Sequence, residues 1–241
     1  MGRGRGLIMI KEVIILAGGL GTRLRDAVPD LPKCMAPVNG IPFIGYVINH
    51  LIKEGVERFI FSLGYKHDYF NSFLQDILSP EQYELCIEEE PLGTGGAIQF
   101  ASNLAKSKDV LVTNGDTLFN VNVAALSKQH ISSDSSCTLS LKPMIEFERY
   151  GVVEIDEQQR IISFKEKKYY NSGLINGGVY ALNIDSLKAK SLPLKFSFEK
   201  DYLEAFYSEK KFFATIQDEY FIDIGIPEDY SRAAFDLKIL N

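Results

Sequence analysis

The sequence has few of the features that mark disulfide-bonded, zinc-binding or membrane proteins. Its three cysteines, Cys34, Cys86 and Cys137, are odd in number, widely spaced and without the spacing of metal ligands. They predict a reducing, cytoplasmic setting with neither a disulfide framework nor a zinc site. No run approaches the roughly 18 uninterrupted apolar residues of a membrane span, so no membrane association is expected.

The chain also lacks an excess of basic residues. Its formal net charge of −6 argues against broad nucleic-acid binding, although a local basic pocket remains compatible with it. The three histidines, His50, His67 and His130, form no recognisable relay and are expected at surface or helix positions. A composition of 46% hydrophobic and 24% charged residues over 241 positions suits one globular α/β domain.

Apolar runs and helical patterns alternate through the first half of the chain. Strands are predicted at Val13–Ala17, Arg58–Leu63, Glu84–Glu88 and Val110–Thr113, and helices at Pro42–Lys53, Asp68–Leu78 and Thr94–Leu104. This rhythm predicts a Rossmann-like, mostly parallel sheet with helices on both faces. From Cys137 onward the pattern becomes richer in short strands, which are predicted at Gly151–Ile155, Ile161–Lys165 and Gly178–Leu182.

The most informative segment follows the first predicted strand, where Gly18-Gly19-Leu20-Gly21-Thr22-Arg23 precedes Pro32-Lys33. Glycines let the backbone turn sharply and approach a ligand, and backbone N–H groups at a strand end can bind an anion. Arg23 adds a planar fork of donors and Lys33 a mobile point charge. The segment predicts a triphosphate site whose nucleotide-binding residues include Leu16, Ala17, Gly18, Gly19, Gly21 and Thr22.

Two familiar glycine motifs are excluded. A Walker loop ends in Gly-Lys-Ser/Thr, and no such tripeptide follows here. A dinucleotide fingerprint needs a third glycine where Leu24 stands, and an acidic residue about 20 positions further on. An ordinary glycine-rich turn is the remaining alternative, and Thr22, Arg23 and Lys33 argue against it.

A second diagnostic segment runs from Glu88 through Pro91 to Gly93 and Thr94. Guanine presents two adjacent donors, N1–H and N2–H, and the Glu88 carboxylate at a strand end can accept both. Uracil offers a single N–H in a comparable position. Gly93 would let the backbone approach the base edge, and Thr94 would complete this part of the nucleotide site. The alternative is a solvated loop with a glycine-rich helix start.

Two carboxylates stand in apolar surroundings, Asp116 at the end of a predicted strand and Asp223 within an apolar run. A buried acid is costly unless it is paired or binds a cation. Two such acids without obvious partners suggest a shared Mg²⁺, which prefers carboxylate and phosphate oxygens. A structural turn at Gly115-Asp116 is the alternative.

Taken together, these motifs resemble those of the sugar-1-phosphate nucleotidylyltransferases. The resemblance runs from Lys11 to about Asp236 and rests first on Gly19–Leu24 followed by Pro32-Lys33. Within that family, three further segments resemble the guanylyltransferases for D-glycero-D-manno-heptose 1-phosphate, namely Lys33–Val38, Phe147–Val153 and Ser197–Asp201.

The resemblance implies an in-line transfer from GTP to a sugar 1-phosphate, with Mg²⁺ as cofactor and pyrophosphate as the leaving group. Asp116 and Asp223 would hold the metal, Lys33 and Lys167 would act on the two reacting phosphates, and Arg23 would hold the departing pyrophosphate. These five residues form the predicted catalytic set. The implied fold is that of the nucleotide-diphospho-sugar transferases.

The resemblance also assigns the sugar side. Gly151, Glu166 and Asn176 would contact sugar hydroxyls, and a solvated charged hairpin at Lys165–Lys168 is the alternative. Residues 1–10 are predicted to be an N-terminal extension or cloning remnant. Residues 11–241 would form one domain with a nucleotide-binding half, 11–134, and a sugar-phosphate half, 135–241.

Several alternatives stay open. The chain could use mannose 1-phosphate, could be a uridylyltransferase of the same fold, or could be a nucleotide-binding regulator that has lost turnover. A dinucleotide-dependent oxidoreductase is disfavoured by Leu24. The sequence leaves open which sugar is used and whether the chain forms a homo-oligomer.

Overall fold

The computed structural model describes residues 9–19, 31–64 and 67–239. The elements of the first half are β1 (Glu12–Leu16), β2 (Pro37–Val38), β3 (Ile41–Pro42), α1 (Phe43–Lys53), β4 (Arg58–Leu63), α2 (Asp68–Ile77), β5 (Tyr83–Ile87), α3 (Gly93–Ala101), β6 (Asp109–Asn114), β7 (Thr117–Phe119) and α4 (Val123–Ser132). Those of the second half are β8 (Cys137–Phe147), β9 (Val152–Ile155), β10 (Ile161–Lys165), β11 (Tyr170–Asn183), α5 (Ile184–Lys188), a π-helical turn (Phe198–Leu203), α6 (Glu204–Phe206), β12 (Phe212–Ile216), β13 (Phe221–Asp223) and α7 (Pro227–Ile239).

One nine-stranded sheet runs through both halves. β5, β4, β1 and β6 lie side by side and parallel. β11 then joins β6 in the antiparallel sense and carries β9, β10 and β8, with β12 parallel to β8 at the edge. A separate antiparallel ladder joins β7 to β13. The predicted fold is confirmed, with the parallel strands in the first half and the β-rich part in the second.

The buried first strand explains the layered architecture. Val13, Ile14 and Ile15 are fully buried. Since successive side chains of a strand point to opposite faces, Val13 and Ile15 enter one apolar cluster and Ile14 the other. The first cluster contains side chains of α1, α2, α4 and α7, and the second those of α3, α5 and the π-helical turn. Helices therefore cover both faces of the sheet.

The largest difference between the predicted and observed element bounds is in β11. Arg58–Leu63 and Ile161–Lys165 have the predicted bounds. The strand predicted at Gly178–Leu182 is part of the longer β11, Tyr170–Asn183. Its pairing with β8 shifts between Asn176 and Tyr180, where Gly178 adopts a φ of +73°. The extra residues form a bulge, which the strand crosses without ending.

The start of the fold lies slightly earlier than predicted. Ile10, which was assigned to the N-terminal extension, is buried in the first cluster, and its N–H donates to the Ser127 hydroxyl (3.0 Å). The division of the domain after residue 134 stays a prediction.

Over residues 9–19, 31–64 and 67–239, none of the helices has the length and apolar character needed to span a membrane.

Candidate active site

Two cavities lie beside the carboxyl ends of the parallel strands. The first has a volume of about 860 Å³ and the second about 640 Å³. Asn114, the last residue of β6, lines both. Open α/β sheets bind ligands at this edge, because the loops that follow parallel strands converge there.

Most of the described site residues line one of the two cavities. The first is lined by Leu16, Ala17, Gly18, Gly19, Lys33, Glu88, Gly93, Thr94 and Asp116. The second is lined by Gly151, Glu166, Lys167 and Asn176. Gly21, Thr22 and Arg23 lie outside the described residues. Asp223 lines neither cavity and contacts Lys33 of the first. The functional role of each residue stays a prediction.

Gly18 and Glu88 shape one wall of the first cavity. A Cβ at Gly18 would lie 3.0 Å from the backbone nitrogen of Gly64 and 3.4 Å from Oε1 of Glu88. The Glu88 carboxylate accepts hydrogen bonds from the Ser62 hydroxyl at Oε1 (2.9 Å) and from the Leu92 N–H at Oε2 (3.1 Å). These bonds orient the carboxylate, and each oxygen keeps capacity for another donor.

Lys33 joins the two predicted metal-binding acids. Its Nζ lies 2.5 Å from Oδ2 of Asp116 and 3.5 Å from Oδ1 of Asp223. Side-chain exposure is only 15% for Lys33, 31% for Asp116 and 26% for Asp223. Partial burial weakens solvent screening, so charges in this cluster influence one another strongly.

The β7–β13 ladder brings the two acids together. Asp116 immediately precedes β7, and Asp223, the last residue of β13, is opposite Thr117. The Gly225 N–H donates to Oδ1 of Asp223 (2.8 Å). A Cβ at Gly225 would lie 2.9 Å from that oxygen and 3.3 Å from Nζ of Lys33. A glycine is therefore favoured beside the charged cluster.

The residues of this cluster fit a divalent cation. Burial, followed by the nearby Asp116 charge, raises the pKa of Asp223 despite the opposing influence of Lys33. The charged form of Asp223 is therefore disfavoured in the absence of a further cation, and a bound cation would stabilise it. Within the described residues no group of three or more His, Cys, Asp or Glu side chains forms a metal site. Mg²⁺ commonly uses one or two carboxylates with water and substrate phosphates, which matches two acids.

Arg149 connects the charged cluster to the last helix. Its guanidinium pairs with Asp229 of α7 and lies 4.0 Å from Oδ2 of Asp223. Its Cζ is 5.6 Å from the centre of the Tyr150 ring. Sequence analysis used Arg149 only as part of a family motif and assigned it no role. Its proximity to Asp223 could not be inferred from local sequence.

The glycines at the start of α3 have a packing role that the sequence analysis missed. A Cβ at Gly95 would lie 2.1 Å from the Phe196 ring, and one at Gly93 would lie 2.6 Å from the Phe196 carbonyl oxygen. At Gly96 it would lie 2.4 Å from the Leu194 carbonyl oxygen. The prediction that Gly93 lets the backbone approach the base is therefore incomplete. These glycines also leave the space into which the segment 194–198 packs.

Asn176 reaches the second cavity with part of its side chain already engaged. Its Nδ2 donates to the Tyr180 hydroxyl (2.8 Å), and its Oδ1 accepts from the Gly178 N–H (3.1 Å). Complete burial, and then the charge of Glu199, raise the pKa of Tyr180 well above its ordinary value. One amide hydrogen and one lone pair of Asn176 remain for a ligand.

Other residues at the cavities were missed in the sequence. Ser62, at the end of β4, supports Glu88, and Asn114 separates the cavities. Both stand near the ends of buried strands, a signal that could have identified them. His67, which is expected at a surface or helix position, lines the first cavity. The second cavity also includes Glu199, Lys200 and Glu204, which come from a distant part of the chain.

An open α/β sheet with two adjoining cavities at its carboxyl edge and a lysine between two acids suits the binding of phosphorylated ligands. Comparison with known proteins makes this specific. The sequence profile of the family described as nucleotidyl transferase matches residues 12–238, and the chain belongs to that family. It is therefore a nucleotidyltransferase.

Two curated relatives carry the name D-glycero-alpha-D-manno-heptose 1-phosphate guanylyltransferase. The one from Aneurinibacillus thermoaerophilus is 48% identical over 94% of this chain and 98% of its own length. The one from Campylobacter jejuni is 44% identical over 91% of this chain and 96% of its own length. These similarities extend across nearly the whole of each protein.

Solved structures of HddC from Yersinia pseudotuberculosis have the same fold. One is 39% identical, with a TM-score of 0.83, and the match covers 95% of this chain and 100% of that one. A second, complexed with GMP-PN, is 38% identical with a TM-score of 0.80 and the same coverage. HddC is therefore a neighbour in both sequence and structure.

Proposed function

We propose that this protein transfers a guanylyl group from GTP to D-glycero-α-D-manno-heptose 1-phosphate, forming GDP-heptose and pyrophosphate. The observation that carries the transfer chemistry is Lys33 between Asp116 and Asp223, beside the cavity pair that shares Asn114. With a divalent cation held by the two acids, this arrangement would bring positive charge to the place where the phosphates of two substrates meet. The names of the two curated relatives and the guanosine-type ligand of HddC support the choice of donor and acceptor.

The proposed reaction is an in-line displacement at the α-phosphorus of GTP. The attacking group is an oxygen of the sugar 1-phosphate, which is already anionic and needs no general base. The main barrier is therefore to align two mutually repelling anions and stabilise the transition state. Lys33 from the first cavity and Lys167 from the second would neutralise the reacting phosphates. Arg23 and the glycine-loop N–H groups would hold the departing pyrophosphate.

Asp116 and Asp223 are the residues that would hold Mg²⁺. When bound there, the ion would supply positive charge to phosphate oxygens whose negative charge increases during transfer. The structure supports this assignment through the partial burial of both carboxylates and the raised pKa of Asp223.

Glu88 is the proposed contact to the guanine base. Its two oxygens are oriented by Ser62 and Leu92 at the wall of the first cavity. Accepting both N1–H and N2–H would make two charge-assisted hydrogen bonds. Uracil would leave one acceptor poorly matched, and cytosine and adenine would bring acceptors toward the carboxylate.

A substrate screen tests the proposal directly. GTP, UTP, CTP and ATP would each be combined with the heptose, mannose and glucose 1-phosphates, and pyrophosphate release and product mass measured. GTP with the heptose 1-phosphate should give the highest kcat/KM. Higher values with mannose 1-phosphate or UTP would replace the acceptor or donor assignment. Nucleotide binding without pyrophosphate release in any combination would favour a regulator. The proposal includes the cytoplasmic setting that the three unpaired cysteines predict.

A further inference from the structure

Glu199 lines the second cavity, and its carboxylate is hydrogen-bonded by a residue of the first. Glu199 lines the second cavity and is half-buried, whereas Thr94 lines the first. Oε2 of Glu199 accepts hydrogen bonds from the hydroxyls of Thr94 (3.1 Å) and Ser197 (3.3 Å). Within the described parts of the chain, no donor contacts its Oε1. One oxygen is thus anchored, while the other remains able to accept a hydrogen bond.

The Thr94 hydroxyl has a defined direction. It accepts a hydrogen bond from the Phe198 N–H (2.9 Å) while donating to Glu199. Because a hydroxyl has a single hydrogen, donation to Glu199 leaves none for a nucleotide. Although Thr94 lines the first cavity, its hydroxyl hydrogen is therefore used by Glu199, a residue of the second cavity.

The backbone around this contact joins the two walls. The Phe196 N–H donates to the Leu92 carbonyl (3.0 Å), and the Gly95 N–H donates to the Phe196 carbonyl (3.0 Å). Leu92 also donates its N–H to Glu88. Short contacts at Gly95 leave no space for a side chain between the two segments. The 92–95 loop and the 196–199 segment therefore form one packed unit.

We propose that Glu199 recognises a hydroxyl of the acceptor sugar through Oε1, with Thr94 as the positioning residue for its carboxylate. The inference rests on the proposed function, since it concerns the acceptor of that reaction. A sugar presents several hydroxyl donors, and a hydroxyl bonded to a carboxylate makes a charge-assisted hydrogen bond. Anchoring of Oε2 reduces the conformational freedom that the carboxylate loses when the sugar binds.

Four variants test this assignment. Glu199→Gln removes the charge, and Thr94→Val removes the positioning hydroxyl. Thr94→Ser keeps a hydroxyl at this position. Glu209→Gln is the charge-matched control, because Glu209 pairs with Lys190 instead. KM for GTP, KM for the acceptor and kcat would be measured with the most active sugar 1-phosphate. Isothermal titration would give the Kd of that acceptor and of heptose 1-phosphate, and melting curves would verify folding.

Glu199→Gln should raise the acceptor KM and Kd about tenfold, the scale of one charge-assisted hydrogen bond, and change the GTP KM by less than about twofold. Thr94→Val should raise the acceptor constants about three- to fivefold, with Thr94→Ser and Glu209→Gln near wild type. Unchanged acceptor constants in a folded Glu199→Gln protein, or a larger effect on the GTP KM, would overturn the inference.

The titrations separate this inference from the proposed function. If the wild-type protein binds a sugar 1-phosphate but releases no pyrophosphate, the proposed function fails while the Kd comparison still decides the role of Glu199. If it binds none of the sugar 1-phosphates, both are overturned.

Discussion

The two cavities differ in how the chain builds them. The first is formed largely by residues that follow the parallel strands β1, β5 and β6. The second draws on the antiparallel strands β9, β10 and β11 and on the distant segment 197–204. Parallel strands bring their carboxyl ends to one edge automatically. In the antiparallel part, register and a glycine bulge decide which side chains reach the cavity.

The charged cluster takes residues from both halves of the chain. Asp116 comes from the first half and Asp223 from the second, with Lys33 between them. Variants should therefore separate into those that affect the shared chemistry and those that affect only one cavity. The predictions below test this division.

The largest effect should come from breaking the shared cluster. Asp116→Asn and Asp223→Asn should each lower kcat at least about a hundredfold, since each would remove a ligand for a charge-stabilising cation. Pyrophosphate release at saturating substrate concentrations would measure this. Asp218→Asn is the control, because Asp218 is exposed and pairs with Lys142. Full wild-type activity in EDTA would contradict the metal assignment.

The two glycine-rich segments should differ in their effect on stability. A Cβ at Gly95 would collide with the buried Phe196 ring, whereas none of the described residues has an atom within 4 Å of a Cβ at Gly19. Gly95→Ala should lower the free energy of unfolding by about 1–3 kcal/mol, and Gly19→Ala should change it by less than about 0.5 kcal/mol. Urea denaturation of both variants would measure the difference. Equal losses would show that the two segments are equally constrained.

A smaller effect, confined to the first cavity, should follow from changing Glu88. Glu88→Gln should lower the GTP-to-UTP ratio of kcat/KM about tenfold, because an amide supplies only one acceptor. The acceptor KM should stay unchanged, in contrast to Glu199→Gln. Steady-state kinetics with both nucleotides would test this, with Glu90→Gln as a control from the same acidic run. An unaltered ratio would remove Glu88 from base recognition.

The smallest effect concerns the stability of the cluster. Because the pKa of Asp223 is raised in the folded state, the folded protein keeps its proton to higher pH than the unfolded chain. Stability should therefore fall as the pH rises from the ordinary aspartate pKa through the raised value. In metal-free buffer at neutral pH, Asp223→Asn should raise Tm by about 2–4 °C, equivalent to ~1 kcal/mol, and flatten this dependence. A lower Tm at neutral pH would contradict this explanation.

Sequence reasoning succeeded where local pattern and function coincide. Gly18, Glu88 and Asp116 each follow a strand of the parallel part of the sheet, and the structure places all three at the first cavity. The strand bounds Arg58–Leu63 agree as well, since apolar, β-branched and aromatic residues have few alternatives in a buried sheet. The packing role of Gly95 was missed, because its partner Phe196 lies far along the chain.

By itself, the sequence determined the alternating architecture, the edge of the sheet at which the cavities lie and a minority of the residues that line them. Strand and helix periods, turn glycines and isolated acids are local signals, and parallel strands convert them into a common edge. Only the tertiary structure decided that Lys33 lies between acids 83 and 190 positions away, and that Thr94 holds Glu199 across 105 positions. Such contacts depend on ladder register and close backbone packing, which no local pattern specifies.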